Sequence, residues 1–333
     1  MIYRKLKILS REDIFSQKPE WRNPGYSRYF AMYSSVFGGV VTDPSLMVLP
    51  LDDHMVHRGD GIFEAFKCVN GYIYNLDAHL ARLQKSAELI SLKLPFSLST
   101  IKQIIIETVA TGGVKDCMVR VFVSRGIGGF DCAPRECKES NLYIIVLEPW
   151  SAPEHFYTKG VSAITSKIPA KPSFFAQVKS CNYLPNVLVE MEAEKNKVDF
   201  GIMLDEEGYL TEGATENVAI VTKEKKFVYP TFSHMLKGTS LLRGVELTKE
   251  LIKMGILKGI SQRNISREEA YESSEMLIFG TGPNVLPVVE YDGNKIGTGK
   301  PGDVFHMLSR LFQRDITENK KVLTPVFKEE EKL

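Results

Sequence analysis

A chain of 333 residues with 42 Lys and Arg against 41 Asp and Glu is long enough for two domains and carries no global field toward a polyanion. A disulfide-stapled mini-protein is thereby excluded, and a nucleic-acid binder is not expected. Apolar residues at 44% and charged residues at 25% are the balance of a packed globular protein rather than a disordered one. No run of about 18 uncharged apolar residues reads as a membrane span. Residues 1–23 lack the apolar stretch of a secretory signal, and Glu12 and Asp13 argue against a transit peptide. A soluble, cytoplasmic protein is expected. The cysteines at 68, 117, 132, 137 and 181 are odd in number and contain no CxxC, which suits reduced thiols and leaves no zinc set, so no metal is expected.

In chain order, residues 1–27 read as an N-terminal extension and 28–150 as an α+β domain. Strands are predicted at 29–37 and 61–69, then a hairpin at Asn70-Gly71 and a strand at 72–75. A helix follows at 77–91, with Asp77 as its N-cap and Leu80, Leu83, Ala87 and Ile90 as its core stripe. A second helix at 98–111 precedes strands at 117–124 and 141–147. His54 and His57, beside Asp52, Asp53, Arg58 and Gly59, read as a polar turn, because their spacing suits a metal only on a helix. Pro149, Pro153 and Gly160 mark a break, with the linker placed at 151–160. From 161 to 325, strands at 161–165, 201–205, 217–221, 276–279 and 286–290 alternate unevenly with helices at 182–196 and 241–254. That pattern suits a larger, irregular β-rich domain with flanking helices better than a barrel or a doubly wound sheet. Residues 326–333 form a charged tail.

Two glycine motifs tempt and fail. Pro301 follows Gly297-Thr298-Gly299-Lys300, and the glycines there are too close for a nucleotide phosphate loop. Gly280-Thr281-Gly282 lacks the third glycine of a dinucleotide fingerprint. It leaves open either a tight turn or a strand end that offers N–H groups to a phosphate. No GxSxG elbow supports a serine hydrolase.

Lys179 lies between an apolar residue and the start of a helix whose first turn holds Pro185. A partly desolvated lysine there loses its proton more readily and can form a Schiff base with an aldehyde; on local pattern alone a surface lysine fits better. Glu212, flanked by Thr211 and Gly213, is an acid that can point into a cleft. A carboxylate opposite a pyridine nitrogen keeps the ring protonated, and the two residues together describe pyridoxal phosphate chemistry.

Four ordered blocks make that reading specific: HRGDGIFEAFKCVNGYIYNLDAHLARLQKSAELI (57–90), VKSCNYLPNVLVEMEAE (178–194), DEEGYLTEGATENVAIV (205–221) and FGTGPNVLPVVEYDGNKIGTGKPGDV (279–304). Together they resemble the class IV pyridoxal-phosphate aminotransferases, a group of branched-chain and D-amino acid aminotransferases and aminodeoxychorismate lyases. The second block is especially similar to the D-amino acid aminotransferase-like branch. The resemblance implies PLP fold type IV, with a smaller N-terminal α/β domain, and a homodimer in which the loop at 125–137 closes the neighbouring subunit's site.

It further implies Lys179 as the Schiff-base lysine, Glu212 on the ring nitrogen, Tyr183 on the ring hydroxyl, and Arg82, Thr239, Ser240, Thr281 and Gly282 on the phosphate of pyridoxal 5'-phosphate. Phe63 and Arg120 fall at substrate positions. Arg120 sits inside the apolar strand MVRVFV, where a substrate carboxylate or a structural ion pair would offset its burial. Glu64 and Arg120 sit as in branched-chain enzymes. Phe63 stands where D-amino acid enzymes have tyrosine, and SRGIGGFDCAP (124–134) lacks their carboxylate-gripping Arg and His but is similar to the lyases. KGTSLLR replaces the family's GITR turn. The implied reaction is amino-group transfer from a branched-chain or D-amino acid to a 2-oxo acid, with pyruvate release from aminodeoxychorismate as the alternative.

Overall fold

The computed structural model describes Ser10 and residues 24–327. Most of the expected extension and tail lies outside those residues. The first sheet is antiparallel and contains β1 (Tyr29–Ser34), β2 (Gly39–Val41), β3 (Gly61–Val69), β4 (Tyr72–Tyr74), β5 (Cys117–Ser124) and β6 (Asn141–Leu147). Long β3 pairs with β5 along its whole length, from Gly61 opposite Ser124 to Cys68 opposite Cys117. Period-two alternation separates its faces. Phe66, Cys68, Val119, Val121, Ile144 and Val146 are buried in one core, with the stripes of helices Leu76–Leu89 and Leu98–Gly112. The opposite face carries Phe63, Lys67, Arg120 and Phe122. At the hairpin, Asn70 and Gly71 both have positive φ, 52° and 81°, as a two-residue turn of this hand requires.

The second sheet holds β7 (Val161–Thr165), β8 (Phe200–Leu204), β9 (Leu210–Gly213), β10 (Asn217–Val221), β11 (Lys226–Tyr229), β12 (Gly259–Gln262), β13 (Glu275–Gly280), β14 (Asn284–Tyr291) and β15 (Asn294–Lys295). Its order is β12-β11-β10-β13-β14-β7-β8-β9, and a further pairing of β9 with β10 closes six strands into a ring. Strand β10 is buried on both faces for that reason. Val218 and Ile220 join the core inside the ring. Ala219 and Val221 join the layer under helices Thr239–Lys253 and Asp303–Glu318. The α+β class and the β-rich second half with flanking helices are as expected.

Several boundaries differ from expectation, each for a local physical reason. His54–Arg58 is a short helix rather than a turn, capped by the Asp53 side chain and ended by Gly59 in the left-handed region. Among the described residues no set of His, Cys, Asp and Glu is placed to hold a metal. Asp77 is not the N-cap of its helix. Asn75 takes that place without a side-chain bond, and the Asp77 carboxylate pairs with Lys102 at 2.5 Å. The linker contains a helix, Glu154–Thr158. A boundary at residue 325 cuts through packed structure: the last strand among the described residues, β16 (Leu323–Pro325), returns to β4, and Val326 is buried in the first core.

Candidate active site

Lys179 lies in an extended segment between helices Ser173–Ala176 and Leu184–Asn196. Strand β3 holds it there. Phe63 donates its N–H to the Lys179 carbonyl at 2.9 Å, Cys181 donates to the Gly61 carbonyl at 2.9 Å, and Ile62 and Ser180 form a bridge. The Lys179 amine comes to 3.3 Å from the Tyr183 hydroxyl and 4.4 Å from the Phe63 ring centre. Burial above all, then the nearby Arg82 cation, lowers its pKa to about 8.

Glu212 faces the same cleft from β9. One of its oxygens accepts from the Leu236 N–H at 2.9 Å and from the Asn217 amide at 3.4 Å. Burial lifts its pKa to about 7 against the pull of Lys171, the Leu236 N–H and Lys179. Lys171 reaches the cleft beside it, with its amine 5.1 Å from the Tyr183 ring centre.

At the other end, the N-terminus of helix Thr239–Lys253 brings Thr239 and Ser240 to the cleft. The first-turn N–H groups of a helix have no intrahelical acceptor and favour an anion. Gly238 lets this terminus press on β10, since a Cβ there would lie 1.7 Å from Asn217 Oδ1. Arg82 arrives from the facing helix, with its Nε and Nη2 each 2.7 Å from a Glu64 oxygen and Nη1 donating to the Lys237 carbonyl at 3.2 Å. Gly280 and Thr281 complete this end from β13 and the turn after it. Gly282 is set back from the cleft, packed so closely on Trp150 that a Cβ would lie 2.3 Å from it.

A desolvated amine, a buried carboxylate and a helix N-terminus with an arginine, lining a single cleft, fit the aldehyde, ring nitrogen and phosphate of pyridoxal phosphate. The class IV amino-transferase family model matches residues 61–291, from β3 to the end of β14. The chain belongs to the class IV aminotransferases. Its cofactor is pyridoxal 5'-phosphate.

The enzyme is 42% identical over 293 residues to a D-amino-acid transaminase, chloroplastic, of Arabidopsis thaliana, covering 88% of this chain and 78% of that protein. It is 28% identical over 290 residues to a D-alanine aminotransferase of Bacillus licheniformis, covering 84% and 96%. The solved branched-chain amino acid aminotransferase of Thermobaculum terrenum, in its PLP-form, matches with a TM-score of 0.78 at 21% identity, over 90% of this chain and 99% of that one. That of Escherichia coli matches at 0.80 and 24%, over 90% and 100%. These two structural likenesses are of fold.

For this aminotransferase the structure brings Lys179, Tyr183, Glu212, Arg82, Thr239, Ser240 and Thr281 to one cleft, with Phe63 against the Lys179 amine. Arg120 requires a correction. It is exposed rather than buried within its strand: Val119 and Val121 on either side point into the first core, so the Arg120 side chain lies on the other face of the sheet, beside Ala65 and Ile145. His79 and Lys171 were not anticipated. His79 precedes Arg82 by three residues on one helix, so the two share a face, a signal that was available. Lys171 gave none, being followed by Pro172 in a stretch with no periodicity.

Proposed function

We propose that this aminotransferase takes a D-amino acid as its donor and a 2-oxo acid as acceptor, and that Lys179 is the amine that joins the cofactor aldehyde. The observation that carries the assignment is the Lys179 amine 3.3 Å from the Tyr183 hydroxyl, in the cleft that Glu212 also lines. When bound, the cofactor's protonated ring draws electrons from the bonds of the substrate Cα. Glu212 holds the proton on the ring nitrogen, and Tyr183 faces the ring hydroxyl. Arg82, Thr239, Ser240 and Thr281 hold the phosphate, and Gly282 supplies the close turn behind Thr281. The Lys179 amine, its pKa lowered by burial, would be the base that accepts the proton leaving the substrate Cα. Phe63 is a wall of the substrate side, and Arg120, on the same sheet face, is the cation for a substrate carboxylate. The D-amino acid assignment rests on the 42% identical relative.

Two measurements test this reading. Borohydride reduction of the holoenzyme followed by peptide mapping should place the phosphopyridoxyl label on Lys179, and Lys179→Ala should lose both label and amino transfer. A label elsewhere overturns the lysine assignment. A panel of D- and L-amino acids with 2-oxoglutarate should form glutamate from D-donors. Transfer only from branched-chain L-donors, or pyruvate release from aminodeoxychorismate as the main activity, overturns the donor.

We also infer a homodimer. Helix Leu184–Asn196 leaves Leu184, Val187, Leu188 and Met191 exposed at the spacing of one face, and Phe174 and Phe175 of the short helix before it in the chain are exposed too. No helix of the described residues is long and apolar enough to cross a membrane. We infer a cytoplasmic location from the five free cysteines, which suit a reducing compartment. Since the Arabidopsis relative is named chloroplastic, a fluorescent fusion of the whole chain is the check, and plastid import would refute the placement.

A further inference from the structure

We propose that His79 is a positioning residue of the phosphate cup, holding Thr239 of one helix in register with Arg82 of the other. This rests on the reading of Arg82, Thr239 and Ser240 as phosphate ligands.

The chain of contacts is buried and continuous. Glu64 lies on the core face of β3 and is 1% exposed. One of its oxygens takes Arg82 Nη2 at 2.7 Å and His79 Nδ1 at 2.7 Å, while the other takes Arg82 Nε at 2.7 Å. The far side of the imidazole, Nε2, lies 3.3 Å from Thr239 Oγ1. Thus one carboxylate orients two residues of the helix Leu76–Leu89, Arg82 and His79, and the imidazole passes that orientation to the start of helix Thr239–Lys253.

The protonation follows from the partners. Despite its burial, Arg82 and His79 hold the Glu64 carboxyl down to about 2, so it is ionised and only accepts. Burial lowers the His79 pKa, which keeps the ring neutral. A neutral ring whose Nδ1–H points at a carboxylate presents a bare lone pair at Nε2. The Thr239 hydroxyl therefore donates to His79, its rotamer is set before any ligand arrives, and the Thr239 N–H at the start of the helix is the group left to face the phosphate. His79 does not line the cleft itself. It acts through Thr239, in the way that an outer partner orients a metal ligand.

Titrating the apoenzyme with pyridoxal 5'-phosphate and with pyridoxal, which lacks the phosphate, separates this role from general packing. His79→Phe keeps a ring beside Phe66, whose centre lies 5.3 Å from that of His79, but loses both hydrogen bonds. We expect it to weaken pyridoxal 5'-phosphate binding by about tenfold or more and to leave pyridoxal binding unchanged. Thr239→Val should do the same, and the double variant should lose no more than either single one, because the two share one interaction. His79→Gln, which retains an acceptor, should recover part of the loss and carries the test with Thr239→Val should His79→Phe not fold. Equal losses for the two ligands, no loss, or additive losses overturn the role of His79. If the unaltered enzyme itself binds both ligands equally, it is the phosphate cup that fails, and the proposal falls with it.

Discussion

Lys179 shows how much of a residue's chemistry belongs to its surroundings. In water its amine would stay protonated to about pH 10. Here burial, with Arg82 nearby, brings the pKa to about 8. The neutral amine is the nucleophile, so the rate at which apoenzyme captures pyridoxal 5'-phosphate should rise as pH passes through about 8. A stopped-flow pH profile checks this, and a rise only near the ordinary lysine value would contradict the burial. Glu212 shows the same dependence with the opposite charge: its pKa stands at about 7, high for a carboxyl, because it is buried, and two lysines and the Leu236 N–H keep it from rising further. The lysine and the acid were legible as residue types in their motifs. Lys171, the second amine, was not, because nothing local in its sequence shows that it is folded over Tyr183.

At the scale of elements, the readable segments are those whose burial imposes a pattern. Strands β3, β5, β6, β7 and β10 match the expected ranges because each is an apolar run or alternation of five residues or more. Strands β9, β11 and β12 escaped, with only four residues each, too few to show a period. Helix Asp303–Glu318 lies outside the expected elements although Val304, Leu308, Phe312 and Ile316 form a buried stripe at helical spacing. The start of helix Thr239–Lys253 carries an element-level prediction. Gly238→Ala would drive a Cβ into Asn217, which also bonds Glu212 and the Leu236 carbonyl. We expect a loss of roughly 1–3 kcal/mol in stability and a cofactor affinity reduced about tenfold, measured by urea unfolding and by titration. Gly259→Ala, where a Cβ would meet open space, is the control and should change neither. An unaltered Gly238→Ala would show that this terminus is not pressed on β10.

For the whole molecule, the exposed stripe on helix Leu184–Asn196 is the feature that a single chain leaves unfinished. Burying such a stripe against a second copy removes large apolar side chains from water at roughly 1.5–3 kcal/mol for each one fully covered. Light scattering should give about twice the chain mass. Leu188→Glu with Met191→Glu should shift the enzyme toward monomer and lower its activity. A monomeric unaltered enzyme would refute the dimer, and an intact dimer in the double variant would move the interface elsewhere. The return of β16 to β4 is a second property of the whole, since it joins residues 323–325 to a sheet whose other strands all lie within residues 29–147.

Read alone, the amino-acid order was enough for the α+β class, most of the long strands and helices, and the lysine, acid, arginine and hydroxyl residues that meet in one cleft. Those are properties of side-chain period and of motifs, which act within a few residues. Only the tertiary structure decided that Arg120 is exposed, that the last strand pairs with β4, and that Glu64 and His79 stand behind Arg82 and Thr239. Each of these is set by contacts between segments far apart in the chain. Burial and the partners that satisfy a buried charge exist only once those segments have met.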